Sequence, residues 1–330
     1  MKRSTTWLLA AAALLAAALA MVLLGPAAAP VRAGEARGVP ATVMRRPPLI
    51  PDTVEVERDV EYGKGGDRAL RLDIYRPKTR SEKPMPVLVY IHGGAWRAGN
   101  KAGMPPLGIK LAEQGYVSVT IAYRFSHEAI FPAQIEDAKC AVRFLRAHAK
   151  AYQIDPDRIG AWGHSAGGHL VALLGTAGDA KDLEGTGGWA DQSSRVQVVV
   201  DCFGPTDFLK MTEGLKTLGL PDRMGHDSPD SPESRLIGGP IQENKEKAAR
   251  ANPIKYVTKD DPPLLILHGD RDATVPSTQS QLLYDALKEA GVDATYHVVK
   301  GAGHGFGGPE IDEIITSFFA KHLKPSGPGQ

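Results

Sequence analysis

Pro86 to Ile91 reads PVLVYI, six residues with no polar side chain except the hydroxyl of Tyr90. A strand without a polar face must be covered on both sides, the condition inside a parallel sheet rather than at a water-facing one. Further strand-like runs follow at 115–122 (GYVSVTIA), 158–162 (RIGAW), 196–200 (VQVVV), 263–267 (PLLIL) and 294–299 (ATYHVV). Helical stretches separate them, at 101–114, 132–150, 166–174, 278–290 and 311–323. The clearest is 132–150, where Ile135, Ala138, Val142 and Leu145 share one face and Pro132 suits a first turn. Strand and helix in alternation predict an α/β fold, with a mostly parallel central sheet and helices on both faces. Ahead of it, 54–62 and 69–75 alternate apolar and polar residues, and Gly63, Gly65 and Gly66 lie between them, so this pair reads as an antiparallel hairpin. Residues 207–260 break the rhythm with Gly, Pro, Asp and Lys, and read as an excursion over one sheet edge that can cover an active site.

The chain of 330 residues is long enough for one such domain and short for two. Its ends bound the domain at 53–325. Lys2 and Arg3, an uncharged run from Trp7 to Leu24, and small residues up to Val31-Arg32-Ala33 form a signal-peptide pattern over 1–33. The expected location is therefore secreted or periplasmic. The alternative is an uncleaved N-terminal membrane anchor, because the apolar run is close to the ~18 residues that span a bilayer. Residues 34–52, rich in Pro, Gly and Arg, read as a flexible linker. A net charge of +1 gives no reason to expect a nucleic-acid partner. Cys140 and Cys202 read as two buried thiols, although export permits a disulfide. No Cys or His pair has ligand spacing, so neither a metal nor another cofactor is expected.

Gly163-His164-Ser165-Ala166-Gly167 fits G-x-S-x-G between a strand and an apolar helix. That context puts Ser165 on a sharp turn with its hydroxyl pushed out above the sheet, and the first helical amides behind it favour developing negative charge. His92-Gly93-Gly94-Ala95-Trp96 follows the PVLVYI strand. The backbone N–H groups of Gly94 and Ala95, with Trp96 as a further candidate, are expected to form an oxyanion hole with that of Ala166. Such a donor is typically worth about 3 kcal/mol in the transition state. A serine hydroxyl is a weak nucleophile and needs a base, and the base needs a carboxylate to fix its tautomer. The base is expected after the last strand, where His304 stands in GAGHGF. The acid is expected one strand earlier, in HGDRDATVP. Asp272 is the better candidate there, Asp270 a brace for the loop, and Asp207 a third candidate after the preceding strand. His92, His164, His169, His226, His268 and His297 read as structural or surface residues.

Taken together, YIHGGAWRAGNK, AWGHSAGGHL, CFGPTDF, HGDRDATVP and GAGHGF make the chain resemble the bacterial esterase/lipase branch of the α/β-hydrolase superfamily. Within that branch it is most similar to the BD-FAE group, which includes feruloyl and acetylxylan esterases. The resemblance covers about residues 54–323. It implies Ser165, Asp272 and His304 as catalytic triad, the HGGAW turn as oxyanion loop, and a small-molecule or polysaccharide ester as the substrate class. A serine amide hydrolase, arylformamidase-like or a peptidase, is the main alternative, and a non-catalytic binding protein of the same fold is a further one.

Overall fold

The computed structural model describes residues 49–79 and 81–323. The signal-peptide pattern and linker residues 34–48 lie outside the described residues. Within them, no helix is long and apolar enough to cross a membrane.

Eight strands form one sheet: β1 Val54–Gly65, β2 Arg68–Pro77, β3 Met85–Ile91, β4 Val117–Ile121, β5 Ile154–His164, β6 Val198–Cys202, β7 Leu264–Gly269 and β8 Ala294–Val299. Their spatial order is β1-β2-β4-β3-β5-β6-β7-β8. Only β1/β2 and β2/β4 pair antiparallel, and the other five pairings are parallel. The N-terminal hairpin thus extends one edge of a parallel sheet. Its turn differs from expectation. Gly65 already pairs with Arg68, which leaves Gly66 and Asp67 as the two-residue turn, and Gly63 lies inside β1 beside a register irregularity. A side chain at 63 would meet the Cys140 sulfur at 2.5 Å, so that glycine serves packing rather than turning.

The helices are α1 Pro106–Glu113, α2 Ala133–Ala147, α3 Ala149–Tyr152, α4 Ala166–Thr176, α5 Met211–Thr217, α6 Pro232–Ile237, α7 Lys245–Arg250, α8 Thr278–Glu289 and α9 Pro309–Leu323. Alternation along β3 shows how they are shared between faces. Val87, Val89 and Ile91 pack with α2, α4 and α8, whereas Leu88 and Tyr90 pack with α1 and α9. The sheet is therefore buried on both sides, as its apolar strands require. The helix expected at 101–114 starts only at Pro106. Pro105 before it is held extended (φ −60°, ψ 149°), as a residue preceding proline prefers, and Pro106 occupies the first turn. Lys101, ahead of that helix, reaches Asp59 and Asp73 on the hairpin.

Parallel pairing aligns the carboxyl ends of the central strands. Ile91 lies beside Gly163, Gly163 beside Asp201, and Asp201 beside Ile266. The loops after β3, β5, β6, β7 and β8 therefore leave the sheet along one edge. Residues 207–260 hold α5, α6 and α7 and two 3₁₀ turns, Phe208–Lys210 and Pro253–Tyr256, rather than open loop. Both cysteines are buried free thiols.

Candidate active site

Between β5 and α4 stands a single residue, Ser165, with φ 55° and ψ −122°. That region costs a residue with a side chain roughly 1–3 kcal/mol, and it persists only where its surroundings impose it. They do so here. The Ser165 N–H donates to the Cys202 carbonyl at 2.9 Å, and the Ser165 carbonyl accepts from the His169 N–H at 3.0 Å. Two residues on, a Cβ at Gly167 would lie 2.0 Å from the Ile91 carbonyl oxygen, so only glycine lets the helix start this close to β3.

His304 reaches this serine from the loop after β8. Its Nε2 lies 2.9 Å from Ser165 Oγ, and its Nδ1 lies 2.7 Å from Asp272 Oδ2. Gly303 and Gly305 close a tight turn around it, with the Gly305 N–H donating to the Gly303 carbonyl at 2.8 Å. Phe203 packs edge-on against the imidazole at 4.8 Å between centroids. Asp272 is wholly buried, and its Oδ1 accepts the N–H groups of Thr274 and Val275 at 2.8 and 3.0 Å. Burial by itself would raise its carboxyl, but hydrogen bonds from His268 and His304 hold it well below the usual carboxylate range.

The two other carboxylates sit elsewhere. Asp270 accepts the Gly301 N–H at 2.7 Å and so ties the acid loop to the base loop. Asp207 accepts the Leu209 N–H at 3.3 Å and pairs with Lys210.

Ala95, Trp96, Ser165 and Ala166 line one cavity of about 30 Å³ together with Pro205, Met224, His226, Pro232, Glu233, Thr274 and Val275. Ala95 and Trp96 both have left-handed backbones (φ 53° and 54°), which turn successive amides the same way. Gly94 stands just before them. Its carbonyl accepts the N–H groups of Arg97 and Ala98, and a Cβ there would meet the Ala98 carbonyl oxygen at 2.1 Å, so the loop keeps a glycine at that point.

Several residues at this site are ones the sequence gives no reason to single out. His268, in β7, is buried, with Nε2 2.9 Å from the Val275 carbonyl and 3.3 Å from Asp272 Oδ2. The carbonyl only accepts, so Nε2 carries a proton shared toward the carboxylate. His226 and Glu233, from the 207–260 excursion, lie 3.0 Å apart, and the other His226 nitrogen donates to the Thr274 carbonyl at 2.9 Å. Burial would lower the His226 pKa, but Glu233 and Asp222 raise it. The excursion is thus fastened to the acid loop through a polar pair.

His164 and His169 flank the serine, His169 fully buried and His164 partly so. Burial lowers both to about 4, with the nearby His304 adding to the effect on His164. Each is uncharged in the folded chain and protonates near 6.5 when unfolded. Their contribution to stability is therefore complete above about pH 6.5 and fades as pH falls toward 4, by about 3 kcal/mol per residue. Urea midpoints should drop over that interval, and His169→Gln should show a shallower drop than wild type. Equal slopes for the two proteins would reject this account.

Among proteins of known sequence or structure, the BD-FAE family model matches residues 72–287. The probable carboxylic ester hydrolase LipM of Mycobacterium tuberculosis is 36% identical over 235 residues, 70% of this chain and 51% of LipM. The chain spans about half the length of the curated relatives it matches, 51–58% for three mycobacterial esterases. A truncated carbohydrate esterase from gut microbiota superposes with a TM-score of 0.73 at 36% identity, over 82% of this chain and 97% of that one. A propionate-bound thermophilic esterase from Thermogutta terrifontis gives 0.67 at 28% identity, over 85% and 99%. Both share the mostly parallel α/β-hydrolase sheet.

Proposed function

The chain belongs to the BD-FAE family of the α/β-hydrolases, and from that membership we propose that it is a serine carboxylic-ester hydrolase working through an acyl-enzyme. The observation that carries this reading is the unbroken contact series from Ser165 Oγ through His304 to Asp272, at 2.9 and 2.7 Å. A carboxylate only accepts, so Asp272 holds the proton of His304 on Nδ1 and leaves Nε2 free to take the one from the serine hydroxyl. Ser165 Oγ attacks the ester carbonyl as that proton moves to Nε2. The new oxyanion is met by the N–H groups of Gly94 and Ala95, with Trp96 as a further candidate, and by that of Ala166. His304 then gives its proton to the leaving alcohol. Water, deprotonated by the same imidazole, attacks the acyl-serine and releases the acid.

Cavity size supports short acyl groups. About 30 Å³ is room for about two water-sized groups beside Ser165, which favours a short acyl chain over a feruloyl ring. The propionate-bound relative supports the same preference. Acetyl esters of a polysaccharide are the substrate this combination favours.

A fluorophosphonate probe should place one label per chain, on Ser165. p-Nitrophenyl acetate should be cleaved at least roughly tenfold more efficiently than the octanoate, since each methylene that fails to fit removes about 0.8 kcal/mol or more. A labelled residue other than Ser165, or an octanoate preference, would reject the proposal.

A further inference from the structure

Glu233 is almost wholly buried, yet only one of its carboxylate oxygens is used. Oε1 lies 3.0 Å from His226 Nδ1, whereas Oε2 is buried with no hydrogen-bond partner among the described residues. A buried carboxylate oxygen left alone is costly, and native structures rarely keep one without use. Glu233 lines the same cavity as Ser165. Trp96, also in that lining, has its indole Nε1–H buried and unpartnered. One wall thus belongs to a residue with a spare acceptor, and another to a residue with a spare donor. A hydroxyl group can donate to such a carboxylate oxygen and can also accept from such an N–H.

The local structure holds the carboxylate in place. Glu233 sits in α6, whose N-cap Ser231 accepts the Ser234 N–H at 3.1 Å. His226 is itself fixed by its bond to the Thr274 carbonyl at 2.9 Å. The side chain is therefore preset, and a ligand need not order it.

We propose that Glu233 is a specificity-determining residue that accepts a hydrogen bond from a substrate hydroxyl next to the scissile ester, so that the enzyme prefers partly acylated polyols to plain esters. This rests on the ester-hydrolase reading above. A hydrogen bond to a charged acceptor in a closed site favours the hydroxylated substrate by about tenfold to a hundredfold in kcat/KM.

Two matched pairs of esters test it. Ethylene glycol monoacetate against 2-methoxyethyl acetate changes the donor on the alcohol side, and methyl glycolate against methyl acetate changes it on the acyl side. Wild type should prefer the hydroxylated member of at least one pair by about tenfold or more. Glu233→Met, which keeps length but has no such acceptor, should bring that ratio close to one. Glu233→Gln, which keeps a neutral acceptor, should fall between. Fluorophosphonate labelling of Ser165 reports separately whether each variant folds. No preference in wild type, or an undiminished preference in Glu233→Met, would overturn the proposal. Should Glu233→Met not fold, an undiminished preference in Glu233→Gln would overturn it too. A wild type that cleaves all four esters without preference removes only this inference. One that cleaves no ester removes the hydrolase reading, and this inference with it.

Discussion

Ser165→Ala should lower kcat for p-nitrophenyl acetate by about 10⁴ to 10⁶ and leave the protein folded. The size follows from what the hydroxyl does. In the proposed reaction it is the atom that attacks, and among the described residues its only hydrogen-bond partner is His304 at 2.9 Å. Without it no acyl-enzyme forms, and what remains is the background available from binding and from the amides around Ala95, Trp96 and Ala166. The turn itself should survive. The backbone bonds that impose φ 55° run to Cys202 and His169, and the side chain supplies neither. Steady-state rates beside thermal melting check both halves. A variant with wild-type turnover would end the serine mechanism, and one that had lost its fold would show that the test had missed chemistry.

Asp272→Asn should cost about 10⁴ in kcat, while Asp270→Asn and Asp207→Asn should stay close to wild type. The reason is a proton's position. An asparagine at 272 can turn its amide N–H toward His304 Nδ1, which then carries no proton, so Nε2 does and can no longer accept one from Ser165. The backbone makes that orientation difficult to avoid or to correct, since the Thr274 and Val275 N–H groups both point at Oδ1 and select an oxygen there. The remaining amide nitrogen must then face His304. His268, 3.3 Å from Oδ2, would lose its carboxylate acceptor when an amide nitrogen takes that place, which adds to the cost. Asp270 and Asp207 serve loops only, through Gly301 and Leu209. Kinetics of the three variants with one acetate ester decide the matter, and a larger loss at 270 or 207 than at 272 would overturn the assignment of the acid.

The sheet was legible because burial on two faces writes itself into a strand as an unbroken apolar run, as in 86–91. The elbow was legible because a strand, a sharp turn and a helix in close quarters demand small residues at fixed spacing, and Gly167 beneath Ile91 is the instance. Errors arose where a local pattern had two uses. Gly63 looked like a turn residue and is a packing residue against Cys140. Lys101 to Pro105 continued a helical pattern, yet two prolines delay the helix to 106.

By itself the sequence determined the layered α/β architecture and the order along the chain of Ser165, Asp272 and His304, because hydrophobic period and turn chemistry act between near neighbours. Only the tertiary structure decided which carboxylate touches the imidazole, that His268 backs it, and that His226 and Glu233 of the excursion wall the cavity. Those contacts join residues brought close by the stacking of different strand ends. A side chain's reach across such an edge depends on backbone direction and on the packing beneath it, neither of which leaves a local signature in the order of amino acids.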